Sequence, residues 1–159
     1  MRSRCLRGIT AGFLGTVVLS GFMVLKQKLN LHPEVDPLND WLVVLSMVAG
    51  EGLSKAVAWA AHFVLGSLVW GALYPLIAPY LPANTWIKGL LFGMAAWLLM
   101  MVTFFPLAGH GLFGHSLQAG PAPAVMTLAL HLIFGTVVSL IFSALMGRTS
   151  FDASLKKSA

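Results

Sequence analysis

Long apolar runs alternate along the chain with short connectors that are polar or rich in glycine and proline. Apolar residues dominate about 8–25, 56–77, 88–107 and 123–146. At 1.5 Å per residue each run reaches across a hydrocarbon core of about 30 Å, so four membrane-spanning helices are predicted. A further run, WLVVLSMVAG at 41–50, is too short to span. With Asp40 it is expected to form an interfacial or re-entrant helix over about 40–50, capped by Asn39 or Asp40 and anchored by Trp41. The alternative is that it extends the second span into one long tilted rod, and only Gly50 and Gly52 argue against that.

Within the spans, small residues recur every fourth position. Gly8, Gly12, Thr16 and Ser20 form one such stripe, Gly89 and Gly93 another, and His131, Gly135, Ser139, Ser143 and Gly147 a third. Stripes of this kind let helix backbones approach closely. Gly8, Gly12, Gly66, Gly89, Gly93, Gly135 and Ser139 are therefore the expected packing positions. Pro106 is expected to kink or end the third helix, because proline lacks a backbone donor and clashes with the preceding turn. Pro123 suits the first position of the fourth. The connector KQKLNLHPEVDPLND gathers acids and two prolines outside the hydrocarbon, and the last residues, 148–159, read as a polar, disordered cytoplasmic tail following one transmembrane domain at 1–147.

Composition strengthens this picture. With 58% hydrophobic and 9% charged residues, the chain lies far outside the soluble range. Helices are the expected solution in lipid because they satisfy their own backbone groups. The net charge of +5 comes from basic residues at chain ends and helix borders, which points to bilayer anchoring and away from nucleic acid. Cys5 is the sole cysteine, so neither an internal disulfide nor a cysteine-built metal cage is available. The basic start and apolar centre of the N-terminus resemble a signal peptide, but no small-x-small cleavage site precedes Lys26 and Lys28, and an uncleaved first helix is expected.

A repeat is visible in the order of the motifs. Arg7-Gly8 with Gly12 precedes His62 with Gly66, and Lys88-Gly89 with Gly93 precedes His131 with Gly135. The predicted fold is an all-α, integral-membrane four-helix bundle built from two parallel two-helix repeats, with a short interfacial helix before the second span. Arg2, Arg4, Arg7, Lys88, Arg148, Lys156 and Lys157 fall on one side of that layout and Lys26, Lys28 and Lys55 on the other. The positive-inside rule then places both termini in the cytoplasm.

The segment WIKGLLFGMAAWLLMMVTFFPLAGHGLFG, with HFVLG and HLIFG, resembles a group of small bacterial four-helix membrane proteins classed as a domain of unknown function. The resemblance covers about Gly8 to Gly147. It implies a multi-pass inner-membrane protein and brings no activity, cofactor or site.

Candidate chemistry centres on His62 and His131. Each is expected about 10 to 12 Å below the outer end of its helix, facing the other across the bundle. One reading is a bis-histidine haem b site, with Gly66 and Gly135 leaving room for the macrocycle. Another takes His110, His115, Met126 and His131 as copper or zinc ligands, although their spacing matches no strong motif, so no metal site is assigned. The plainer reading, which carries more weight, is that each histidine bonds a neighbouring helix and fixes its packing. Trp59, Trp70, Tyr74 and Trp97 could line a pocket, but they and Met94, Met100 and Met101 are ordinary bundle filling. No P-loop, H-E-x-x-H or G-x-S-x-G occurs, and no carboxylate lies clearly within a span. A non-enzymatic structural or accessory membrane protein, self-associating through its small-residue faces, is the expectation. A haem- or metal-binding protein and a small transporter or channel subunit are the alternatives.

Overall fold

The computed structural model describes residues 2–31, 35–82 and 84–157, with side chains from 3 to 147 in those ranges. Among them there is helix and no strand. Helix α1 (Arg2–Lys28) is followed by α2 (Pro37–Ala49), α3 (Lys55–Val64), a π-helical segment (Leu65–Gly71) and α4 (Ala72–Ile77). Next come α5 (Thr85–Val102), the short α6 (Phe104–Leu107), a 3-10 segment (Leu112–Leu117) and α7 (Ala122–Lys157). Four stretches, Ser3–Lys28, Lys55–Ile77, Thr85–Leu107 and Ala122–Gly147, are long and apolar enough to cross a membrane. Only 22–39% of the most apolar window of each is buried inside the chain. So much outward apolar surface would aggregate in water, whereas lipid solvates it.

Local chemistry explains where the elements begin and break. Asp36, not Asn39 or Asp40, caps α2, its carboxylate accepting from the Leu38 and Asn39 amides. Pro37 opens the helix instead of excluding it, since a first helical position has no amide to lose. Gly50 and Gly52, both at positive φ, end α2 and turn the chain into α3, so the two are separate helices and not one rod. The π-helical segment, which the sequence pattern did not reveal, lies just before Pro75. Proline withholds one amide and crowds the carbonyl four residues back, which favours a locally widened turn. Pro106 acts alike on the third span, which breaks at Thr103 (φ −122, ψ −66) and resumes as α6. The tail expected to be disordered continues α7 as far as Lys157, there being no glycine or proline between Arg148 and that point to stop it.

Glycines set the helix pairing. A methyl group added at Gly8 or Gly12 would collide with the backbone of Gly71 or Gly66, and one added at Gly89 or Gly93 with that of Gly135 or His131. These are close backbone crossings of α1 on the second span and of α5 on α7. The crossings do not use the residues that the sequence repeat aligns. Gly71 lies between Gly8 and Gly12 where Gly135 lies between Gly89 and Gly93, whereas the histidine-glycine motif equates Gly66 with Gly135. The contact register in the first pair is shifted by about a turn, at the π-helical segment.

Helix α1 also packs on α7, joining the two pairs. Toward the chain termini Tyr74, Phe92 and Phe142 stack edge to face with centroids 5.0–5.4 Å apart. There the Tyr74 hydroxyl bonds Ser139 Oγ at 2.6 Å, and Ser139 donates to the Thr85 carbonyl at 2.6 Å. That buried chain ties the second, third and fourth spans together. At the opposite end α3 and α5 make no comparable packing, and α2 bridges the gap by packing on α3 and α6.

Candidate functional site

The gap beneath α2 is a cavity of about 330 Å³, at the lower end of the roughly 300–1,000 Å³ typical of small-molecule sites. Its walls come from every span. Leu19 and Met23 stand on α1, Trp41 on α2, Leu65 and Trp70 on the second span, Met100 and Phe104 on the third, and Leu130 and Phe134 on α7. Asp40, His62 and His131 are the titratable side chains in that wall.

His131 is oriented by its own helix. Its Nδ1 lies 2.8 Å from the Thr127 carbonyl, and a carbonyl can only accept, so Nδ1 carries a proton. In the neutral ring Nε2 is then a lone-pair acceptor. The Thr127 hydroxyl donates to the Pro123 carbonyl at 2.8 Å and lies 3.2 Å from Trp97 Nε1, whose N–H points at it. His62 differs: Nε2 is buried and has no hydrogen-bond partner among the described residues. Its ring meets Trp59 and Phe63 edge-on, with centroids 5.9 and 5.8 Å away.

Asp40 is the residue that the pattern missed. It is 3% exposed, and its Oδ1 accepts from His110 Nε2 at 2.8 Å. Burial pushes its carboxyl above the ordinary value of 3.8, and the His110 beside it pulls the other way. In the sequence Asp40 sits among connector acids and reads as a solvated cap. The available signal was Asp36 with Pro37: once that pair starts the helix, Asp40 lies a full turn inside it.

The other sequence candidates are dispersed. His110 is engaged by Asp40, His115 is exposed and lies 3.5 Å from Ser116 Oγ, and Met126 packs against the cluster of Val35, Met101 and Phe105. Among the described residues no group of three or more His, Cys, Asp or Glu is placed to hold a metal. The room expected beside Gly66 and Gly135 for a macrocycle is filled, by Thr16 in one case and by Gly89 and Gly93 in the other. Gly8, Gly12, Gly66, Gly89, Gly93 and Gly135 all lie in helix crossings within the chain, and Ser139 is in the buried hydroxyl chain. Trp70 lines the cavity, Trp59 meets His62, Trp97 bonds Thr127, and Tyr74 lies away from the cavity, in the aromatic core. Met100 lines the cavity, Met101 is wholly buried beside it, and Met94 is exposed on the outside of α5.

What the arrangement offers chemically is an apolar, aromatic-walled chamber with two imidazoles and one paired carboxylate. Among the described residues no nucleophile is paired with a base in it. No curated protein and no solved structure matches the chain. The profile of a family of unknown function, DUF6789, matches residues 2–153, and the chain belongs to that family.

Proposed function

We propose that this is a non-enzymatic, multi-pass protein of the bacterial inner membrane that holds a small, mostly apolar molecule between its helix pairs, with His62 and His131 as polar contacts. The observation that carries the reading is that histidines from two different spans share one cavity wall, one of them with a buried, unpaired Nε2. A purely structural histidine completes its bonds within the bundle, because an unpaired buried polar group costs about 1–3 kcal/mol. Both termini are assigned to the cytoplasm. Arg7, which reaches Met146 Sδ at 3.2 Å, and Lys88, which donates to the Ala78 carbonyl at 3.0 Å, mark the same end of the bundle, and the positive-inside rule favours that end. Self-association would need faces other than Gly8, Gly12, Gly66, Gly89, Gly93 and Gly135, which the chain's own crossings occupy.

The test is organic extraction, metal analysis and an absorption spectrum of detergent-purified protein beside the His62→Ala/His131→Ala variant. The reading expects about one extractable small molecule per chain in the wild type, at least fivefold less in the variant, and no Soret band. Equal recovery from both proteins contradicts it, and a Soret band lost in the variant would make haem the occupant instead.

A further inference from the structure

The polar atoms of the cavity are not a balanced set. The Thr16 hydroxyl donates to the Gly12 carbonyl at 2.7 Å, Thr103 to the Leu99 carbonyl at 2.6 Å and Thr127 to the Pro123 carbonyl at 2.8 Å. Each of these hydroxyl hydrogens is therefore already given to backbone. His131 gives its Nδ1 hydrogen to Thr127 and keeps a lone pair at Nε2 in the neutral ring. The Asp40 carboxylate can only accept. The indole N–H groups of Trp41 and Trp70 are the donors in the wall, and Nε2 of His131 and the Asp40 carboxylate are its acceptors.

Resting on the cavity reading above, we infer that the occupant is an uncharged aromatic molecule carrying a hydroxyl group, of the phenol or quinol class, which donates to His131 Nε2. Three features select this class. An occupant bearing only carbonyl or ether oxygens would leave the His131 lone pair without a donor, and an acceptor left unmatched away from water is costly. A cation is disfavoured because the carboxylate already has its partner in His110, and an uncompensated charge is expensive at this depth. The aromatic side chains of Trp41, Trp70, Phe104 and Phe134 in the wall suit an aromatic body. A hydroxyl both donates and accepts, so it can also take a hydrogen from an indole N–H of the wall.

The probes are 4-butylphenol and its methyl ether 4-butylanisole, which share ring and chain but differ in the donor. Binding is measured by equilibrium dialysis against the full-length protein in detergent, with a detergent blank to remove micelle partitioning. Saturable binding of the phenol near one per chain is expected, with the ether at least about tenfold weaker, the worth of one hydrogen bond. His131→Leu is expected to reduce the phenol to the level of the ether while leaving the ether unchanged, which also shows that the cavity is intact. Equal binding of phenol and ether to the wild type overturns the hydroxyl inference but leaves the cavity reading standing. Absence of saturable binding by either probe overturns both.

Discussion

A single methyl group distinguishes the two kinds of glycine in this chain. At Gly93 it would meet the His131 carbonyl and the backbone of Leu132, whereas at Gly21 nothing lies within 4 Å. Gly93→Ala is therefore expected to destabilise the detergent-solubilised protein by about 1–3 kcal/mol, the usual cost of forced overpacking. Gly21→Ala should leave it unchanged or stabilise it by up to about 1 kcal/mol through helix propensity. Thermal unfolding of the two variants side by side checks the pair, and a similar loss in both would show that the crossing is not where the glycines place it. The glycine stripes were legible in the sequence because small residues at every fourth position have few other uses in a membrane helix. Their partners were not. Gly66 and Gly71 are five positions apart, and a π-helical turn brings both onto α1, a register that four-residue spacing does not suggest.

At the scale of elements, α2 roofs the cavity and is held down at two points. Trp41 lies against Phe104, ring centroids 4.9 Å apart, and Asp40 bonds His110 in the connector after α6. Among the described residues the charges acting on Asp40 are those of His110, Asp36 and Lys26, and desolvation outweighs them, so its carboxyl titrates above its unfolded value of 3.8. The sign follows from proton linkage: the native state holds its proton to higher pH than the unfolded chain does, so this group's contribution falls as pH rises from about 4 through the raised pKa. Asp40→Asn removes the titration but keeps the shape. The unfolding midpoint of the wild type, measured relative to that variant, is expected to drop between pH 4 and the upper end of that window and to level off above it. A pH-independent gap would contradict the assignment. The existence of a short helix here could be read from its apolar run and flanking glycines. Its role as a roof could not, because the contact to His110 closes a loop of 70 residues, and sequence spacing carries no information about such a pairing.

For the whole molecule, the legible part was the count and placement of the long helices, since hydrocarbon thickness imposes a length that composition reveals directly. The space between them was not legible, because it depends on which helices fail to pack: α3 and α5 diverge while α1 on α7 closes the other side. Orientation remains a proposal with a direct test. Cys5 is the sole native cysteine, so a membrane-impermeant maleimide applied to spheroplasts should not label it until the membrane is broken. Ser116→Cys in a Cys5→Ser background should label at once. The reverse pattern would invert the topology and place the roof of the cavity toward the cytoplasm.

The central claim, that the cavity holds a distinct small molecule, is tested most directly inside the native membrane. Cells grown with photo-methionine would carry a carbene precursor of nearly the same size at Met100, in the cavity wall, and at Met94, exposed on the outside of α5. After irradiation, peptide mass spectrometry should find one small-molecule adduct on the Met100 peptide, missing from the His62→Ala/His131→Ala variant, and a mixture of phospholipid fragments at Met94. The same phospholipid mixture at both positions, or no adduct at Met100 beyond water, would contradict the account.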